Sequence, residues 1–184
     1  MTKKKGDSRR PKGRPTKDGT MSEAKSKEKS FQIGIVMGSE SDRAIVDEAV
    51  RVLSDFGVGC EVAVRSAHRA PEAAATWARE ARGRGLRVII AAAGGAAHLA
   101  GAMAAHTRLP VLGVPLASSP LVGFDALLAT VQMPPGVPVG TLGVGAWGAR
   151  NAAYLALRIL AVSDPALARR LEDHAERMAA GVKA

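Results

Sequence analysis

Ser66-Ala67-His68-Arg69 sets a hydroxyl, an imidazole and a guanidinium within four residues. Together these groups can position a ligand, move a proton near neutral pH and hold a phosphate or carboxylate in a bidentate grip. A second polar stretch, Gly38-Ser39-Glu40-Ser41-Asp42, carries two hydroxyls and two carboxylates on a strand-to-helix turn. Free N–H groups at such a turn suit an anion, and an acidic side chain there can take ribose hydroxyls. The same residues also read as a helix cap, through Ser41 or Asp42. A third stretch, Gly94-Gly95-Ala96-Ala97-His98, lets backbone approach a ligand closely and allows positive φ. It reads equally as a tight packing loop in which His98 satisfies a carbonyl. No Ser/His/Asp order and no HExxH motif is present. His68, His98, His106 and His174 have no metal-ligand spacing, so no metal site is expected.

The elements around these stretches place all three at strand ends. Gln32 to Met37 predicts a first strand, followed by a helix to about Phe56 with Ile45, Val46, Ala49, Val50, Val52 and Leu53 on its apolar side. Cys60 to Val64 is the second strand. Pro71, whose missing N–H costs nothing at a first helical position, opens a helix to about Arg82. Arg87 to Ala93 is a near-continuous apolar run, as expected of a strand covered on both faces. A short helix to His106, a strand from Pro110 to Leu116 and a helix from Phe124 to Val131 follow. The series closes with a strand from Val139 to Val144, an Ala-rich helix from Ala146 to Ala161, and an amphipathic helix from Pro165 to near Gly181. Strand–helix alternation with five strands predicts one α/β domain over residues 31–184. It is a three-layer, doubly wound parallel sheet of flavodoxin- or Rossmann-like type, with ligands at the carboxyl ends of the strands.

The charge is unevenly spread. Residues 1–30 hold 11 Lys and Arg against 4 Asp and Glu, a net +7, while the rest of the chain holds 15 against 13, a net +2. The basic segment has little apolar content and is expected to be a disordered tail; it reads as a solvated extension, or as sequence ahead of a true start at Met21. A nearly neutral body with 3% aromatic residues argues against nucleic-acid binding, which needs a basic surface and stacking platforms. Cys60 is the one cysteine, which rules out an intrachain disulfide and suits a small buried hydrophobe. No apolar run reaches the roughly 18–20 residues that span a bilayer, and no secretory signal is visible, so a soluble, cytoplasmic protein is expected.

Five motifs then occur in one order. GIVMGSESD (34–42), SAHRAP (66–71), AGGAAHLAG (93–101), LPVLGVP (109–115) and VQMPPGVPVGTLGVG (131–145), followed by Asn151, resemble the class I N5-carboxyaminoimidazole ribonucleotide mutases of purine biosynthesis, over about residues 32 to 172. The resemblance implies reversible transfer of a carboxylate from the exocyclic nitrogen of an aminoimidazole ribonucleotide to ring carbon 4, with no metal or organic cofactor. It implies Ser39, Asp42 and Arg69 at the ribose-phosphate end of a small-molecule ribonucleotide. Ser66, His68, Gly94 and Leu99 would surround the carboxylate or carbon dioxide, with His68 as general acid and base and His98 orienting the ring. It also implies a homo-octamer whose sites draw on neighbouring subunits. The chain departs from the family at Ala92, Ala100, Pro135, Ala146-Trp147 and Ser119-Pro120, which bears on loop shape and assembly more than on proton transfer.

Three other functions compete. A class II carboxylase taking free carbon dioxide resembles SAHK at this position, and Arg69 separates this chain from it by one side chain that is not interchangeable with Lys on a phosphate. A non-catalytic nucleotide-binding module on the same fold would be expected to lack His68. A nucleic-acid-binding protein would act through the tail and show steep salt dependence.

Overall fold

The computed structural model describes residues 1–2 and 31–181, so the expectation for a disordered tail lies outside the described residues. Five strands, β1 (Ile33–Met37), β2 (Cys60–Val64), β3 (Val88–Gly94), β4 (Val111–Leu116) and β5 (Gly140–Thr141), form one sheet. Its order is β2-β1-β3-β4-β5 and every pairing is parallel. The helices are α1 (Arg43–Asp55), α2 (Pro71–Glu80), α3 (Leu99–His106), α4 (Phe124–Val131), α5 (Ala146–Ala161) and α6 (Pro165–Ala179), with a 3₁₀ turn over Glu40–Asp42. This is the doubly wound, flavodoxin-like order, in which the winding reverses between β1 and β3 and opens a crevice at the strands' carboxyl ends.

Side chains alternate across the sheet and so build two cores. Ile33, Ile35, Met37, Val88, Ile90, Leu112 and Val114 face α1, α5 and α6, meeting Val46, Leu53, Leu157 and Leu167. Val36, Ile89, Ala91 and Val111 face the other layer, against Trp77, Ala78, Leu99 and Met103 of α2 and α3. β1 and β4 are buried along their whole length, whereas edge strand β2 is half-buried. Cys60 is accordingly half-buried, and that burial pushes its thiol above the usual range. Among the described residues no helix is long and apolar enough to cross a membrane.

Two local expectations need correction. The fifth strand is two residues long, not Val139 to Val144. The chain still runs beside β4, with Leu142 N–H donating to Gly113 O and Gly145 N–H to Pro115 O, both 2.9 Å. Pro115 offers the chain beyond β5 a carbonyl, taken by Gly145, and has no N–H to return, so the ladder stops. The cap before the first helix is Ser39, not Ser41 or Asp42. Ser39 is extended and accepts from Ser41 N–H, and α1 then starts at Arg43 with no side-chain cap from Asp42.

Candidate active site

The carboxyl ends of β1, β2, β3 and β4 open onto a cavity of about 480 Å³. Ser39, Asp42, Ser66, His68, Arg69, Gly94, His98 and Leu99 all line it, joined by Ser41 and Ser118 among others. A larger cavity of about 610 Å³ lies between α1, α5 and α6. It takes no strand-end loop, so its size does not outweigh the convergence of loops in the smaller one at the reversal of the sheet.

The β1 and β2 loops form an anion-binding end. Asp42 Oδ2 accepts the Ser39 N–H at 3.1 Å. Ser39 Oγ accepts from Ser41 N–H at 3.4 Å and from Ser41 Oγ at 3.0 Å. With its lone pairs so engaged, Ser39 keeps its own hydroxyl proton for a ligand oxygen. Burial raises the Asp42 carboxyl above its ordinary range, opposed by the hydrogen bond from the Ser39 backbone. Glu40 points elsewhere: its two oxygens take Arg43 at 2.7 and 3.1 Å, and that contact lowers its carboxyl. The two carboxylates of this turn thus part, one to the cavity and one to a surface ion pair.

Arg69 ties β2 to β1. Its backbone N–H donates to Ser66 Oγ at 3.1 Å, its Nε to the same oxygen at 3.4 Å, and its Nη2 to Gly38 O at 3.1 Å. Those bonds fix the plane of an exposed guanidinium and leave donors of its fork for a ligand anion.

Across β1 stand the two histidines. His68 Nε2 and His98 Nδ1 are 2.8 Å apart, with the rings edge to face at 4.9 Å. One nitrogen of this pair must donate and the other accept, which leaves His68 Nδ1 and His98 Nε2 as the outer positions. A proton accepted at one outer nitrogen can shift along the pair and leave from the other. The histidine pair can therefore supply and remove a proton within one site. His98 Nδ1 is engaged with His68 instead of a backbone carbonyl, which answers the packing-loop alternative for its side chain.

The loop carrying His98 uses its small residues differently from the sequence expectation. Gly95 has φ +58°, and Ala97 follows at +31°; Gly94 is absent from the positive-φ positions. Gly94 instead supplies space, because a Cβ there would stand 1.7 Å from Ser118 Oγ. Leu99 is almost fully buried in the α2–α3 core, so what it can present to a ligand is its N–H in the first turn of α3. Ala92 and Ala100 are core residues and Trp147 is 79% exposed; none of the three lines the cavity. Ser118 is the polar lining residue that sequence reasoning missed, whereas Ser41 was read with the hydroxyls of its turn and as a cap. The available signal for Ser118 was its place just beyond a parallel strand's carboxyl end.

The family profile described as AIR carboxylase matches residues 32–181. A Pyrococcus abyssi protein named N5-carboxyaminoimidazole ribonucleotide mutase is 52% identical over 147 residues, covering 80% of this chain and 83% of that one. Proteins of the same name are 50% identical over 80% of this chain and 84% of theirs in Mycobacterium tuberculosis H37Rv, and 54% identical over 74% and 83% in Pseudomonas aeruginosa. The crystal structure of Treponema denticola PurE superposes with a TM-score of 0.73 at 25% identity, over 82% of this chain and 92% of that one.

Proposed function

The chain belongs to the AIR carboxylase family, and from that premise we propose how its cavity carries out the family's carboxylate transfer. The protein is a mutase of purine biosynthesis that converts N5-carboxyaminoimidazole ribonucleotide to the 4-carboxy isomer. The observation that carries the residue-level reading is the convergence of all eight expected side chains and loops on one cavity, with the His68–His98 pair inside it.

In this reading Arg69 and Ser39 hold the phosphate, and Asp42 takes the ribose hydroxyls. His68 delivers a proton to the exocyclic nitrogen as its bond to the carboxyl carbon breaks, which frees carbon dioxide. Ring carbon 4 then attacks that carbon dioxide. The hydrogen displaced from carbon 4 returns as a proton to the histidine pair, so the pair ends as it began. Ser66, Gly94 and the Leu99 N–H enclose the carbon dioxide in the meantime, and His98 orients the ring while fixing the tautomer of His68.

The chain assembles, in the same reading, as a homo-oligomer of eight. Support comes from α4, where Phe124, Leu128 and Val131 fall on one helical face and are each 44–64% exposed, a stripe a second copy would cover. In the same reading the enzyme works in the cytoplasm, on a soluble nucleotide substrate. The test is to incubate the purified protein with carboxyaminoimidazole ribonucleotide, and separately with aminoimidazole ribonucleotide plus bicarbonate. Conversion of the first without dependence on bicarbonate is the expected result. Turnover of the second alone would make it a carboxylase, and turnover of neither would overturn the assignment.

A further inference from the structure

We infer that the Ser118 hydroxyl is a substrate contact, donating to the carboxyl group that is transferred; the inference rests on the mutase reading above. Ser118 lies two residues past β4 and lines the same cavity as the histidine pair. Gly94, at the end of β3, is in register with Leu116 at the end of β4. The Ser118 hydroxyl occupies the space a side chain on Gly94 would need, 1.7 Å from the position of its Cβ. Glycine at position 94 is therefore what admits this hydroxyl to the cavity wall.

The hydroxyl is also free to act. Ser39, Ser41, Ser66 and Ser119 each use their oxygens within the protein, whereas among the described residues none hydrogen-bonds the exposed Ser118 side chain. Its position decides what it meets. The order β2-β1-β3-β4 sets the Arg69 guanidinium, bonded to Gly38 O, on the β1 side of the cavity and the Ser118 hydroxyl, beside Gly94, on the β3 side. A ligand held by its phosphate at Arg69 and Ser39 directs its base, with the carboxyl that migrates on it, toward β3 and β4. A hydroxyl donor there meets the carboxylate of both substrate and product.

Ser118→Ala tests this by comparing two nucleotides that differ in one group. Binding of the 4-carboxy nucleotide and of aminoimidazole ribonucleotide, which lacks the carboxyl, is measured by calorimetry on the wild-type protein and the variant, with folding and assembly checked by circular dichroism and size. Loss of a hydrogen bond to a charged group should weaken the carboxylated ligand by roughly 10- to 100-fold, with the other ligand unchanged within about two-fold. Ser118→Cys keeps the side chain's shape with a poor donor and should shift binding the same way. Equal loss for both nucleotides, or loss for neither, overturns the role of Ser118. Wild-type protein that binds neither nucleotide would overturn the mutase reading and this inference with it, so the two failures are told apart by the wild-type arm.

Discussion

Replacing His68 by Asn separates proton transfer from nucleotide binding. His68 sits past the end of β2 with its Nε2 2.8 Å from His98 Nδ1, and it takes no part in the hydrogen bonds that Arg69 makes with Ser66 and Gly38 or that Ser39 makes with Ser41. Asn keeps a polar edge but cannot carry a proton between nitrogen and carbon. General acid–base catalysis is worth about 10²–10⁴ in rate, or about 3–5 kcal/mol of barrier. Turnover of the variant should fall by that factor while the dissociation constant of the nucleotide stays within a few-fold of wild type. His98→Asn gives the contrast. It removes one neutral hydrogen bond that holds His68, worth about 0.5–1.5 kcal/mol, so its turnover should fall by about 2- to 13-fold. Both are measured as single-turnover conversion of the carboxyamino nucleotide, with binding and assembled size taken on the same preparation. A His68→Asn protein that assembles, binds and turns over at near wild-type rate refutes the reasoning and moves proton transfer to His98.

Arg69→Ala should weaken the nucleotide by about 10- to 150-fold, as expected for a charge-assisted contact of about 1.5–3 kcal/mol; the dephosphorylated nucleoside should lose far less, and equal losses would take Arg69 off the phosphate. Gly34→Ala should destabilise the fold without touching the site, because its Cβ would stand 2.7 Å from Leu86 Cδ1 and 2.9 Å from the Trp77 ring. Overpacking of about 1–3 kcal/mol predicts a Tm lower by about 2–12 °C at this chain length, and an unchanged Tm would show that the Trp77 layer gives way freely. Asp42 has a folded-state carboxyl raised by burial, so its contribution to stability is fullest below the ordinary carboxylate range and is lost as pH rises through the raised value. Asp42→Asn cannot ionise, and its urea midpoint should therefore gain on wild type as pH rises from below the ordinary carboxylate range through the raised value; a gap that stays constant or moves the other way counts against burial as the main influence.

Much of the fold was legible because its punctuation is local. Pro71 and Pro165 open α2 and α6 where expected, and Gly57 and Gly85, both at positive φ, close the segments before β2 and β3. β5 was not legible for the opposite reason. What ends it is Pro115, 25 residues earlier and on the neighbouring strand, and no window around residue 140 contains that fact. The candidate site divides in the same way. Ser39, Asp42, Ser66, His68 and Arg69 announce themselves by type within short motifs, but the division of labour between Gly94 and Gly95 does not. Both glycines read as conformational freedom, and only the pairing of β3 with β4 shows that Gly94 makes room for Ser118 while Gly95 takes the turn.

The histidine pair shows why the sheet order matters to the chemistry. His68 follows β2 and His98 follows β3, and the strand between them is β1. Two strands that flank a third are about 9–10 Å apart, a gap two imidazoles can close only if the central strand ends low. β1 ends at Met37, and after Gly38-Ser39 the chain turns at once into the 3₁₀ segment, with Ser39 held by its bonds to Ser41 and Asp42. At position 38 a Cβ would have Asp42 Oδ2, at 3.9 Å, as its one near neighbour. The two histidines meet because the loops that follow β2 and β3 both reach past the end of β1. That meeting is written in the strand order and in none of the motifs taken singly.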